Sequence, residues 1–315
     1  MKVFQLAAEP IMTPKEADAL AGLHLPQSAC KTLITYDADV TDAETGKVLA
    51  KFRKGVIPPA VQRRAFESFI TAAGKTSNRG VSAGWDERAV RQYVKAAGGV
   101  DYVRQEGSVR FQIVYADRGV SKTNHAVPVE SGTIGYMDRN PRFPNCRQTA
   151  FNQHHLEKFK AGYPIIKMVD GYYRDLMPEQ YRLQREEADR TAQDFVIKNT
   201  AFTTVTVNRN WQTAVHKDAG DFEQGFGNLV ALRAGEYEGG HLVLPRHGVG
   251  FDLQNGDLLL MDVHEWHGNT PIIEKSTNPV RLSLVMYYRK NMIHCDSAEA
   301  ELARVKRRKP GDKIN

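Results

Sequence analysis

The sequence predicts an α+β fold, and three observations carry that prediction. Residues 200–290 break into short apolar runs between glycine turns, at 201–208, 227–234, 240–245, 249–254, 257–263 and 281–288. Residues 151–196 instead place apolar groups at three- and four-residue spacing, as in H-H-L-E-K-F and Y-Y-R-D-L, which is helical periodicity. Residues 1–120 mix both patterns. The evenly spaced short strands read as a jelly roll (a double-stranded β-helix) with flanking helices and an N-terminal α/β extension. The expected division is 1–120 for the extension, 121–292 for the core and 293–315 for a basic C-terminal tail.

From the N-terminus, residues 33–52 read as a hairpin turning at Thr45-Gly46. Pro58-Pro59 opens an amphipathic helix over 58–73, with Phe66, Phe69 and Ile70 on one face. A second helix is expected over 86–97, ended by Gly98-Gly99. A-G-K-T at 73–76 is no phosphate loop, because Phe69 stands where that motif needs glycine. Residues 118–150 are glycine- and proline-rich and read as loop. Their basic stretch interleaves Arg139, Arg142 and Arg147 with Tyr136 and Phe143, a composition suited to nucleic acid. The tail 297–309 reads as a short helix ending in K-R-R-K, a solvated basic end or a DNA contact.

At 315 residues, with 41% apolar and 25% charged content, the chain has ordinary globular composition. A net charge of +6 is compatible with a polyanionic partner. Three cysteines without a Cys-x-x-Cys pattern suggest a reducing compartment and no disulfide framework. Neither a membrane span nor a signal sequence is expected.

The chemistry concentrates in three segments. His216 and Asp218, in V-H-K-D-A-G-D, are two residues apart, so on a strand both project to one side. His264 and His267 follow near the end of the run 256–263, and either can supply a third ligand. Two imidazoles and a carboxylate on one face of a ferrous ion leave positions open for an oxo acid and O2. The second His-x-Asp, His294 to Asp296, has no histidine after it and cannot open such a series. His154, His155, His241 and His247 read as structural or surface groups. On the run 281–289, Arg281, Ser283, Val285, Tyr287 and Arg289 share a polar face, while Leu282, Leu284, Met286 and Tyr288 share an apolar one. Arg281 can fork onto a carboxylate, with Ser283 beside it.

Taken together, H-K-D-A-G-D at 216–221, H-G-N-T-P at 267–271 and R-L-S-L-V-M-Y at 281–287 resemble the TET/JBP group of 2-oxoglutarate- and Fe(II)-dependent nucleic-acid dioxygenases. The strand 200–210 adds to the resemblance, as does the segment 131–152, which resembles the phage, fungal and algal branches; the whole covers roughly 125–292. It implies His216, Asp218 and His267 as iron ligands. Arg281, Ser283 and Asn208 would bind 2-oxoglutarate, with Arg147 as an arginine brought to the cosubstrate. Asp221 and Tyr287 would lie at the reacting base. The implied partners are DNA and O2, inside a microbial, phage-infected or nucleated cell. The implied reaction is hydroxylation of the methyl of 5-methylcytosine in DNA, with thymine second. A related oxygenase on a non-DNA substrate and a non-catalytic binding module are the rivals. Cytosine-acting relatives carry a histidine eight residues after the arginine, where this chain has Arg289; a phosphate contact is the other role for that side chain.

Overall fold

The computed structural model describes residues 2–307 apart from Arg142. Among them, ten strands form a main sheet. Its order is Phe4–Ala8, Ala38–Asp42, Val48–Arg53, Leu258–Met261, Gly227–Ala234, Val280–Tyr287, Thr204–Arg209, Val129–Met137 and Arg147–Gln148, and Gly74–Thr76 also pairs with Val129–Met137. A four-stranded sheet runs Gly268–Asn269, Leu242–Leu244, Val249–Phe251 and Thr32–Ile34. The hairpin expected at 33–52 is realised as Ala38–Asp42 against Val48–Arg53, whereas Thr32–Ile34 joins the smaller sheet.

Two apolar layers hold this together, one on each face of the main sheet. On one face Val205, Val207, Val230, Leu232, Leu282, Leu284 and Met286 pack against Ile165, Ile166, Val169 and Tyr173 of the helix Leu156–Leu176. On the other, Leu229, Ala231, Leu259 and Met261 meet Leu242, Leu244, Val249 and Phe251 of the smaller sheet. Because strand residues alternate in direction, the face carrying Leu282, Leu284 and Met286 is committed to the helices. Arg281, Ser283 and Tyr287 are thereby turned into the jelly roll.

Residues 151–196 are helical, as their periodicity indicates, in pieces: Ala150–His154, Leu156–Leu176 and Pro178–Arg190. Met177 breaks the last junction at φ −132 because Pro178 disfavours a helical residue before it. The helices Pro59–Phe69, Glu87–Ala96 and Ala298–Arg307 match three further expectations. The rest of the basic tail, like Arg142, lies outside the described residues. No described helix is long and apolar enough to cross a membrane.

Three expectations need correction. Segment 118–150 contains the nine-residue strand Val129–Met137, paired in the main sheet with Thr204–Arg209 on one side and with the short strands Arg147–Gln148 and Gly74–Thr76 on the other. Residues 101–120 form a separate three-stranded sheet that packs Phe111 and Ile113 on Val90 and Val94, unannounced by the sequence. Cys146 and Cys295 are joined in a disulfide across 149 residues, tying the loop before the helices to the C-terminal segment.

Candidate active site

The register of three neighbouring strands builds the site. Asn208 and Ala231 flank Ser283, and Thr206 and Leu229 flank Val285. Cross-strand partners point to the same side, and Asn208, Ser283, Thr206, Leu229 and Val285 face one cavity. That cavity, about 240 Å³, also takes His216, Asp218, Asp221, His267, Arg281, Tyr287 and Arg289 into its walls.

His216 and His267 do not lie on a regular strand pair. They form a single antiparallel bridge, with His216 N–H donating to His267 O at 2.9 Å and His267 N–H to His216 O at 3.0 Å. Asp218 N–H is fixed in turn on Val263 O at 3.0 Å. The rings approach to 4.3 Å between centroids. Each imidazole uses Nδ1 on a backbone carbonyl two residues earlier, His216 on Ala214 O at 2.7 Å and His267 on Glu265 O at 2.9 Å. Both Nε2 atoms then face Asp218, at 3.5 Å from Oδ1 for His216 and 3.8 Å from Oδ2 for His267. The three ligand atoms lie within 4.8 Å of one another. Burial, aided by the neighbouring His216, pushes His267 down to about 4, so the ring is neutral and its lone pair available. A carbonyl behind each imidazole is the support that metal-bound histidines receive. This donor set fits a ferrous ion.

His264, the rival third ligand, turns away. Its Nδ1 lies 3.2 Å from Asp262 Oδ1, which also accepts its backbone N–H at 2.9 Å. Burial opposes ionisation of Asp262, but hydrogen bonds from His264 and Lys47 prevail and hold it down at about 2. A folded pKa below the usual 3.8 stabilises the fold above pH 4 and loses that contribution as pH falls toward 2. The gain is about 2 kcal/mol at neutral pH. Asp262→Asn should therefore lower the melting temperature at pH 7 and flatten its fall between pH 4 and 2. An unchanged acid slope in thermal melts would dismiss the pairing.

Arg281 is only 4% exposed, and its side chain donates to no protein acceptor among the described residues. Burial lowers its pKa. Gly240, at φ +66, makes room for it: a Cβ there would meet Arg281 Cδ and Nε at 3.1 Å. A buried guanidinium beside Ser283 and Asn208 fits an incoming carboxylate. Asn208 already accepts from Ser131 Oγ.

At the other end stand Asp221, Tyr287 and Arg289. Asp221 bridges Arg289 through the backbone, and its Oδ2 is buried without a partner among the described residues. Burial and the nearby Asp218 raise its pKa well above the ordinary carboxylate range. Tyr287 lies 3.1 Å from Thr206 Oγ1. Arg289 donates from Nε to Asp138 Oδ1 at 2.8 Å. Burial opposes its charge, and Tyr287 and Asp138 more than offset that and keep it protonated.

Two sequence candidates fall outside this group. Arg139 is consumed by Asp296 and Glu301, which makes it a clasp for the helix Ala298–Arg307 in place of a DNA contact. Arg147 donates to Asp138 O at 2.9 Å and stacks on Phe143, and it is not among the residues that line the cavity. The other histidine expectations agree with the geometry: His247 meets Asp42 at 2.9 Å and His241 lies 3.7 Å from Asp252. Asp296 of the second His-x-Asp is held by Arg139 and Arg304. Sequence reading missed Asn78, Arg79 and Ser82, which line the cavity from the N-terminal part of the chain with no motif to mark them.

A jelly roll with two histidines and a carboxylate at one cavity and a buried arginine in the same walls is the architecture of a 2-oxoglutarate- and iron-dependent oxygenase. The chain belongs to the TET/JBP family: the oxygenase domain of the 2OGFeDO superfamily (Tet_JBP) matches residues 133–290. It is similar to the bifunctional helicase and thymine dioxygenase JBP2 of Leishmania infantum, 34% identical over 67% of this chain and 19% of the relative. To thymine dioxygenase JBP1 of Trypanosoma brucei brucei it is 38% identical over 52% of this chain and 19% of that protein. The chain thus spans about a fifth of the length of these relatives. Among solved structures, NgTET1 in complex with 5mC DNA shares the fold, with a TM-score of 0.52 and 14% identity over 88% of this chain and 86% of that one. The family's cofactors are Fe(II) and 2-oxoglutarate.

Proposed function

We propose that the chain hydroxylates the 5-methyl group of thymine in DNA, with 5-methylcytosine as the second substrate. The observation that carries the choice is Arg289 in the cavity wall beside Asp221. A guanidinium only donates. Thymine presents the O4 acceptor where cytosine presents a donating amine. The similarity to thymine dioxygenases supports the same order. The Asp221 oxygen without a partner among the described residues leaves the second reading open, since it can accept from a cytosine amine or from thymine N3–H.

In this reading His216, Asp218 and His267 hold the iron. Arg281, with Ser283 and Asn208, orients the cosubstrate by its distal carboxylate. When bound, iron and 2-oxoglutarate supply the oxidising power from O2, with succinate and CO2 as by-products. Leu229, Met261, Val263 and Val285 give the cavity an apolar wall that suits a methyl group and excludes water. A cavity of about 240 Å³ has no room for a base pair, so a duplex base must leave the stack to enter.

Incubation with iron, 2-oxoglutarate, O2 and DNA, followed by digestion to nucleosides, tests this. Hydroxymethyluracil is expected as the main product. Hydroxymethylcytosine alone would reverse the order, and neither product would remove the DNA substrate. Arg289→His should shift the thymine-to-5-methylcytosine ratio toward cytosine by about tenfold.

A further inference from the structure

Two chain segments meet at the end of the cavity that holds Asp221, Tyr287 and Arg289. One connects the paired strands Val129–Met137 and Arg147–Gln148, and it carries Asp138 and Cys146. The other follows the strand Val280–Tyr287, and it carries Arg289 and Cys295. At the cavity wall Arg289 Nε donates to Asp138 Oδ1 at 2.8 Å. Farther along both segments, Cys146 is bonded to Cys295. Arg147, next to Cys146, donates from Nη1 to Asp138 O at 2.9 Å. The path from Arg289 through Cys295, Cys146, Arg147 and Asp138 back to Arg289 is thus a closed circuit of covalent and hydrogen bonds.

The disulfide stands apart from the two apolar layers of the main sheet. Its sulfurs lie in a small cluster with Phe195, Val196, Tyr288 and Met292. Polar contacts hold the same two segments independently. Glu301, 1% exposed, accepts from Cys146 N–H at 3.0 Å, from Asp296 N–H at 2.9 Å and from Arg139. Opening the disulfide would therefore leave both thiols on this cluster, placed to close again. Cys295 borders the exposed run that starts at Asp296, which gives a small thiol a way in. Opening removes one tie of the circuit, so Asp138 and its hairpin gain freedom. The iron ligands are held elsewhere, by the bridge between His216 and His267, and do not.

We propose that Cys146 and Cys295 form a reversible redox latch that sets how firmly Asp138 holds Arg289 in the cavity wall, and hence how well the pocket turns over its pyrimidine. The proposal rests on the base-oxidising reading above. In the opening step a thiolate of an external dithiol attacks one sulfur of the bond and expels the other cysteine as a thiolate, which takes up a proton. The second thiolate of the dithiol then displaces the first cysteine from the mixed disulfide. Both cysteines end as thiols and the dithiol as a disulfide, with two electrons and two protons passed to the protein. Closing is the reverse exchange, with a small disulfide as the oxidant.

The test equilibrates the protein with reduced and oxidised dithiothreitol in varied ratio, removes the reagent without air, and compares the two forms. Alkylation and mass should find Cys30 alone free in the closed form and all three cysteines free in the open form, reversibly. The open form should lose roughly tenfold in kcat/KM for base oxidation, with KM for 2-oxoglutarate unchanged. Amide hydrogen exchange should rise over 138–147 and 289–301 and stay constant at 214–218. Cys146→Ser and Cys295→Ser should behave as the open form at every ratio. Asp138→Asn removes the charge from the Arg289 pair and leaves the cysteines intact. It should lose a similar factor, and opening should cost it less than about twofold more. Equal activity and exchange in both forms, or additive losses in Asp138→Asn, overturn the proposal. So does a bond that opens only when the protein unfolds, or fails to re-form, which marks a purely structural disulfide. If the closed protein oxidises neither base, the functional reading fails alone, and thiol counts with hydrogen exchange still decide for or against the latch.

Discussion

His267→Ala should abolish succinate formation and strip iron from the protein, while His264→Ala keeps both. The two histidines are three residues apart, yet their surroundings differ in kind. His267 is 5% exposed, bridged backbone-to-backbone with His216, and held by Glu265 O so that Nε2 faces Asp218. Removing it leaves one imidazole and one carboxylate, too few for a facial site. The loss should exceed the roughly 10- to 100-fold cost of removing a group that merely supports a ligand. His264 spends Nδ1 on Asp262, and that pair bears on stability. Iron content and succinate yield of the two purified variants decide the matter. Iron retained by His267→Ala and lost by His264→Ala would exchange their roles.

Much of this site was legible because its parts are local or periodic. The alternation from Arg281 to Arg289 separates a polar face from an apolar one, and the structure commits Leu282, Leu284 and Met286 to the helices. His216 and Asp218 project together although they lie on an extended bridge and not a full strand. Val129–Met137 was hidden by its own glycines. Gly132 and Gly135 read as loop punctuation, but a Cβ on Gly132 would lie 1.9 Å from Ala72 O, and one on Gly135 would lie 2.5 Å from Thr203 O. They mark close backbone approach inside a sheet, and no single-residue signal separates that from a turn. The Cys146–Cys295 bond, the Arg139 clasp on Glu301 and the entry of Arg79 all join residues far apart in sequence. Spacing carries no trace of such pairs, so a count of cysteines or a basic loop pointed elsewhere.

Arg281→Met should raise KM for 2-oxoglutarate by more than about a hundredfold, the cost of losing a charged, bidentate hydrogen-bond pair in a dry site. Stability should move the other way. In the ligand-free protein the Arg281 charge is buried with no protein acceptor among the described residues, and burial already lowers its pKa. An apolar side chain of similar length removes that uncompensated charge while keeping the stem's packing. The ligand-free variant is therefore expected to melt at or above the natural protein. The natural protein gains stability with added 2-oxoglutarate as RT ln(1 + [L]/Kd), and the variant should lose that gain. Arg281→Lys keeps the charge but not the fork, and should recover part of the ligand response. Gly240→Ala, which crowds Arg281 Cδ and Nε, should weaken the response without altering the charge. Thermal melts of the four proteins across a 2-oxoglutarate series separate these effects. A full ligand-induced shift in Arg281→Met would mean that the carboxylate is held elsewhere in the cavity. A variant that melts well below the natural protein would mean that packing of the guanidinium outweighs its desolvation.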